Sequence, residues 1–189
     1  MPRSGVQPGQ RALVTGAGPI GALVTAALLA KGISDVTVSE PFELRRELVE
    51  KLGARTVHPD ELVTPPFPTT LVDEPYDVAL ECSGRADAMQ AGLGQLQKGG
   101  SLVLVGAGMK QPRFDPNRIL LNELTITGSF VYDAGGFDAA LDLLASGAVP
   151  ADVVTEPDDV PLDGLLAALE DLAGGHRAGK VMIVPTKGA

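Results

Sequence analysis

Residues 13–32 read LVTGAGPIGALVTAALLAKG, with Gly16, Gly18 and Gly21 at G-x-G-x-x-G spacing. A short apolar run, RALVT at Arg11–Thr15, feeds the glycines. The residues after them, 20–31, are apolar nearly all round, rich in small side chains and stopped by Gly32. A strand, a glycine turn and a buried helix are the expected reading. Alone, such a turn is a weak signal. Its context strengthens it, because DVTVS at Asp35–Ser39 forms a second strand and ends on Glu40, nineteen residues after Gly21. In that setting Gly16 permits the tight turn, Gly18 lets a pyrophosphate approach the backbone, and Gly21 lets helix and strand pack closely. Free N–H groups at the helix start, including those near Pro19 and Ile20, face the phosphates.

Outward from this unit the alternation continues. Residues 41–52 carry Leu44, Leu48 and Leu52 among charged residues, an amphipathic helix closed by Gly53, and residues 56–58 form a brief strand. DVALEC at 77–82 is a strand. Met89, Leu93 and Leu96 mark a helix stopped by Gly99 and Gly100, and SLVLV at 101–105 and LTITGSFV at 124–131 are strands. Residues 137–145 form a helix with Gly147 behind it. Such alternation predicts a parallel sheet with right-handed crossovers, a doubly wound α/β fold. Pro59, Pro65, Pro66, Pro68 and Pro75 restrict the crossover between His58 and Asp77 to a loop with at most one helical turn.

Bulk properties narrow the function. The 189 residues suit one good core, and 44 % hydrophobic and 21 % charged residues are ordinary for a soluble protein. A net charge of −9 repels nucleic acid and anionic membranes. One cysteine permits no intrachain disulfide, and no leader pattern or span-length apolar run appears, so the expected location is the cytoplasm.

Glu40 bears on the choice of dinucleotide. A carboxylate accepts both ribose hydroxyls of NAD and repels a 2′-phosphate, and Pro41 follows it in place of an arginine that would favour NADP. Other nucleotide motifs fail: Gly21 is followed by Ala22 rather than Lys, and neither Tyr76 nor Tyr132 has a lysine four residues on. A methyltransferase with a similar glycine turn remains an alternative.

The chain resembles the coenzyme domain of zinc-type medium-chain alcohol and polyol dehydrogenases, the family of sorbitol and threonine dehydrogenases. The resemblance rests on GVQPGQRALVTGAGPIG, SEPFELRRELVEKLGA, DVALECSG, LQKGGSLVLVG, LTITGSF and GKVMIVP. It implies a three-layer Rossmann fold in which Gly16, Gly18, Pro19, Ile20 and Gly21 hold the pyrophosphate. It further implies that Glu40 binds the adenosine ribose, Arg45 flanks the adenine, and Cys82, Ser83 and Gly84 pass near the adenosine half. Val105, Gly106, Ala107, Ser129 and Phe130 are placed near the nicotinamide. The family commonly dimerises through the strand matching 124–131, so a homodimer with a continuous sheet is expected.

The departures carry equal weight. The family's zinc-bearing lobe has no counterpart here. Cys82, His58 and His176 show no zinc-ligand spacing. Cys82 is expected as a small buried hydrophobe, His58 as a strand cap and His176 as solvated. Residues 1–151 are read as the NAD-binding domain and 152–189 as a tail matching the family's return to the catalytic lobe, here packed on the same domain. The stripe Leu162, Leu165, Leu166 and Leu169 on a helix at 161–173 needs cover from this domain or a partner. Lys180 is expected at a solvated end within reach of a phosphate. The expectation is NAD binding without complete alcohol or polyol chemistry. The alternative is a split-enzyme subunit or a free-standing module with a sensing, scaffolding or zinc-free role, in which Tyr132, Asp133 and Lys110 are the first residues to test.

Overall fold

The computed structural model describes residues 2–132 and 134–185. Six strands form one parallel sheet: β1 (Arg11–Thr15), β2 (Asp35–Ser39), β3 (Arg55–Val57), β4 (Tyr76–Glu81), β5 (Leu96–Leu104) and β6 (Thr125–Gly128), in the order β3-β2-β1-β4-β5-β6. The helices are α1 (Pro19–Ala30), α2 (Glu43–Lys51), α3 (Ala86–Gly94), α4 (Pro116–Leu121), α5 (Gly136–Ala145), α6 (Ala151–Val154) and α7 (Leu165–Gly174). A small parallel pair, β7 (Val160–Pro161) and β8 (Ile183–Val184), stands apart from the main sheet.

Side-chain alternation along β1 explains the layers. Ala12 and Val14 face one side, where Val36, Val38, Leu28, Leu48 and Val49 complete a core between the sheet and α1–α2. Leu13 faces the other side and joins Ala79, Leu93, Leu96 and Leu102 against α3. Leu13, Leu28, Val14, Val38 and Leu102 are fully buried, and burying each such side chain is worth ~1.5–3 kcal/mol. The architecture is the doubly wound three-layer α/β fold expected from the sequence.

Several boundaries differ from expectation. The helix expected to include Leu96 ends at Gly94. Leu96 pairs with Tyr76 instead and starts β5, which passes through Gly99 and Gly100 by a register shift opposite 76–78. The reason is burial: Leu96, 2 % exposed, packs with Tyr76 and Leu102 on the sheet. The expected strand at 124–131 is shorter, 125–128, followed by one further ladder bond from Ser129 N–H to the Leu104 carbonyl at 2.8 Å. Helix α4 was not anticipated. It is announced by Asp115-Pro116, with the Asp115 side chain accepting from Asn117 N–H at 2.9 Å. The proline-rich crossover carries a single 3₁₀ turn, Pro59–Glu61. Its loop is anchored by buried Arg118, which donates to the carbonyls of Pro65, Phe67 and Thr70.

The tail makes two kinds of contact. Val154 packs with Val149 and Ala26 of α1, and Ala178 joins the core cluster beside α1 and α2. The helix expected at 161–173 divides into the end of β7, a 3₁₀ turn at Leu162–Gly164 and α7. Leu162, Leu165, Leu166 and Leu169 stay exposed, so the leucine stripe finds no cover on this domain. Among the described residues, no helix is long and apolar enough to cross a membrane.

Candidate functional site

The chain reverses its winding between β1 and β4, the point of an open α/β sheet at which ligands bind beyond the carboxyl ends of the strands. The glycine turn lies at this point. Gly16 has φ +93°, and its N–H donates to the Ser39 carbonyl at 2.8 Å. A Cβ on Gly21 would overlap the Gly16 carbonyl oxygen, so the helix can start this close to β1 only with glycine there. Gly18 is different: its side-chain direction is open, and the nearest atom to a Cβ built there is Arg45 Nη1, at 4.0 Å. Pro19 is the first residue of α1, and the first intrahelical bond is Ala22 N–H to the Gly18 carbonyl at 2.9 Å. The amides of Ile20 and Gly21 therefore stand at the helix start without an intrahelical acceptor. A helix N-terminus, a cradle with no side chain and an open approach fit a diphosphate.

Glu40 lies just beyond β2, buried at 2 % exposure. Its Oε2 accepts from Ala17 N–H at 2.7 Å and its Oε1 from Phe42 N–H at 3.1 Å. The carboxylate thus braces the middle of the glycine turn, and each oxygen keeps a lone pair for a further donor. Arg45 stands on the same side. Its guanidinium carbon lies 5.2 Å from the centre of the Phe42 ring, and its donors go to carbonyls of the tail, Leu172 and Arg177.

A second pair of turns closes the other flank, and Glu81 organises them. This residue, fully buried at the end of β4, was not singled out by sequence. Its Oε1 accepts from Ser83 N–H at 2.7 Å, Ser83 Oγ at 2.5 Å and Gly84 N–H at 2.9 Å. Its backbone carbonyl accepts from both Val105 and Gly106 at 2.8 Å. One residue thus holds the 82–84 turn against the 105–107 turn. Ser83 in turn packs on Gly16, where an added Cβ would lie 2.8 Å from its own. An acid ending a buried apolar strand, followed by Ser and Gly donors, is the signal that could have found it.

Between β5 and β6 a cleft of about 350 Å³ is lined by Val105, Gly106, Ala107, Ser129 and Phe130, with Leu104, Gly128, Val131 and Arg3 completing it. The five residues assigned by resemblance to one end of the coenzyme thus share one cavity. Phe130 and Tyr132 are strongly exposed, Lys110 is exposed, and Asp133 lies outside the described residues.

The candidate metal-type side chains are scattered. His58 caps the 3₁₀ turn at Pro59 rather than a strand, with Nδ1 accepting from Asp60 N–H at 3.4 Å. His176, largely solvated, lies 3.8 Å from Asp171. Cys82 is partly buried beside the core, where burial first and the Glu81 charge second push its thiol up to about 12. Among the described residues, no three or more His, Cys, Asp or Glu side chains could together hold a metal ion. Lys180 is exposed, with its N–H donating to the Val154 carbonyl at 2.8 Å.

Comparison with known proteins places this arrangement. The zinc-binding dehydrogenase family model matches residues 19–146. The 2-dehydro-3-deoxy-L-galactonate 5-dehydrogenase of Pseudoalteromonas atlantica is 34 % identical over 152 residues, 78 % of this chain and 43 % of the relative. The L-threonine 3-dehydrogenase of Thermococcus kodakarensis is 32 % identical over 186 residues, 95 % of this chain and 52 % of the relative. Among solved structures, a putative zinc-binding dehydrogenase from Sinorhizobium meliloti bound to NADP superposes with a TM-score of 0.79 at 29 % identity, over 97 % of this chain and 54 % of that one. The chain spans about half the length of the curated relatives it matches.

Proposed function

Because the chain belongs to the zinc-binding dehydrogenase family, we propose that it is the coenzyme-binding part of an NAD-dependent alcohol or polyol dehydrogenase. The observation that carries this is the open cradle of Gly18 at the α1 N-terminus. Gly16, Gly18, Pro19, Ile20 and Gly21 take the pyrophosphate on backbone N–H groups and the positive helix end. Glu40 receives the adenosine ribose hydroxyls, Arg45 borders the adenine, and Cys82, Ser83 and Gly84 line the approach. Val105, Gly106, Ala107, Ser129 and Phe130 border the nicotinamide. When bound, that ring accepts or returns a hydride. This chain's own task is to orient the ring and to cover one of its faces. A metal finds no ligand set in the described residues. The reading extends to a cytoplasmic homodimer joined through β6, whose outer edge carries no partner strand among the described residues.

Calorimetry with NADH and NADPH tests the assignment. A 2′-phosphate brought against the Glu40 carboxylate meets like charge. NADH therefore binds at least about tenfold more tightly, a difference of ~1.4 kcal/mol. Equal affinities overturn the role of Glu40, and binding of neither dinucleotide overturns the function.

A further inference from the structure

We propose that the tail residues 172–177 are a working part of the adenosine side of this cleft, because they hold Arg45 as a rigid platform for the adenine ring. The inference rests on the reading that the cleft binds a dinucleotide.

Arg45 and its tail partners are 127 and 132 residues apart in sequence. Its Nη2 donates to the Leu172 carbonyl and its Nε to the Arg177 carbonyl at 3.3 Å. Leu172 is in the last turn of α7, where the helix end is negative; its carbonyl accepts one long bond, from the Gly175 N–H at 3.3 Å, and has a lone pair left for the guanidinium. That end therefore suits a guanidinium. The tail turn is itself fastened: Arg177 Nε donates to Asp171 Oδ2 at 3.1 Å, and His176 N–H to the Asp171 carbonyl at 2.8 Å. Gly175, at φ +76°, lies so close to Phe42 that a Cβ there would overlap the ring. Phe42 in turn lies beneath the Arg45 guanidinium.

The consequence is a pre-set arginine. A free arginine would lose its rotamer freedom when the ligand arrived, and here that loss is taken in the folded chain. Two of its donors are committed to carbonyls while Nη1 stands toward Gly18. It therefore offers the cleft a flat, oriented cation, the chemistry that recognises a purine face. Linkage makes the effect reciprocal: if docking of the tail favours adenine binding, adenine binding must favour docking of the tail.

The test uses the full chain with AMP and nicotinamide mononucleotide as probes, each titrated by calorimetry, and amide hydrogen exchange read across 165–177. The variants are Arg45→Lys, which keeps the charge and loses the fork, and Gly175→Ala, which displaces Phe42 without touching a ligand. Each is expected to weaken AMP about tenfold and to leave the mononucleotide within about twofold. Bound AMP is expected to slow exchange at 165–177 in the wild type and not in Arg45→Lys. Unchanged AMP affinity in folded Gly175→Ala, or unchanged α7 exchange in AMP-saturated wild type, overturns the proposal. If Gly175→Ala does not fold, Arg45→Lys and the exchange data decide. If the wild type binds NADH while the tail stays indifferent, this inference alone fails. If it binds neither NADH nor AMP, the dinucleotide reading fails with it.

Discussion

Gly21 and Cys82 meet where α1 starts beside the sheet, a Cβ on Gly21 lying 3.5 Å from the Cys82 Cβ, and each makes a measurable demand. A methyl group on Gly21 has nowhere to go, since the Gly16 carbonyl occupies its place. Gly21→Ala therefore pushes α1 away from β1 and costs about 2–4 kcal/mol, read as a lower urea midpoint with an unchanged slope. Cys82 is held neutral. With its thiol raised from 9.0 to about 12, roughly a thousandfold less thiolate is present at pH 8 than on an unperturbed cysteine. Alkylation of the folded protein at pH 8 is accordingly slow, and it accelerates on unfolding in urea. Stability is indifferent to this group below pH 9. It declines as pH rises from 9 toward 12, where the unfolded chain has lost a proton that the folded chain keeps. Fast labelling of the native state would contradict the sheltered position of Cys82 beside the core and the Glu81 charge. At this scale, the glycine turn was legible in the sequence because its constraints act over six residues. Glu81 was passed over: the Ser and Gly that follow it were visible in the sequence, but the full burial that turns them into its donors was not. The tail's hold on Arg45 was hidden for a different reason: no local pattern announces a carbonyl more than a hundred residues away.

Strand β6 is the element whose environment is half supplied. Among the described residues it pairs only with β5, and its other edge is open. Ser129 N–H bonds toward β5, and alternation along a parallel ladder then turns the N–H of Ile126 to the open side. Proline is tolerated where a strand's N–H faces away from its neighbour. Ile126→Pro should therefore leave the fold intact and abolish self-pairing. Sedimentation at high micromolar concentration should show the wild type as a dimer and the variant as a monomer. A monomeric wild type, or a dimer that survives the proline, defeats pairing through β6. Elements were legible wherever periodicity and stop signals agreed, as for α1, α2 and β1. They blurred at α3 and β5. There Leu96 continues a helical spacing from Met89 and Leu93, but the apolar surface that needs it belongs to the sheet. Helix α4 escaped notice because six residues give too little periodicity, although its Asp-Pro start was in plain view.

At the scale of the molecule, binding and chemistry separate. The cleft offers a dinucleotide backbone donors, an acid and two shaped turns. It offers an alcohol no metal ligand set among the described residues, and Phe130, at the proposed nicotinamide side, is almost wholly exposed. Hydride transfer needs the carbinol carbon held ~3–3.5 Å from the ring in a dry site. The 189-residue chain is therefore expected to bind NADH and yet form none from primary alcohols, secondary alcohols or polyols, with or without zinc, when followed at 340 nm. Turnover near ~1 s⁻¹ would overturn this, and Tyr132, Asp133 and Lys110 would be the first residues to mutate.

That assay has a trap built into the fold. Arg3 lines the same cavity as Ala107 and Phe130, so a peptide fused at the start of the chain is joined within three residues of that cavity. A polyhistidine affinity handle at that end would bring imidazoles within reach of the proposed nicotinamide side and recruit zinc where the described residues provide no ligand set. The zinc arm of the experiment therefore belongs to protein from which such a handle has been cleaved.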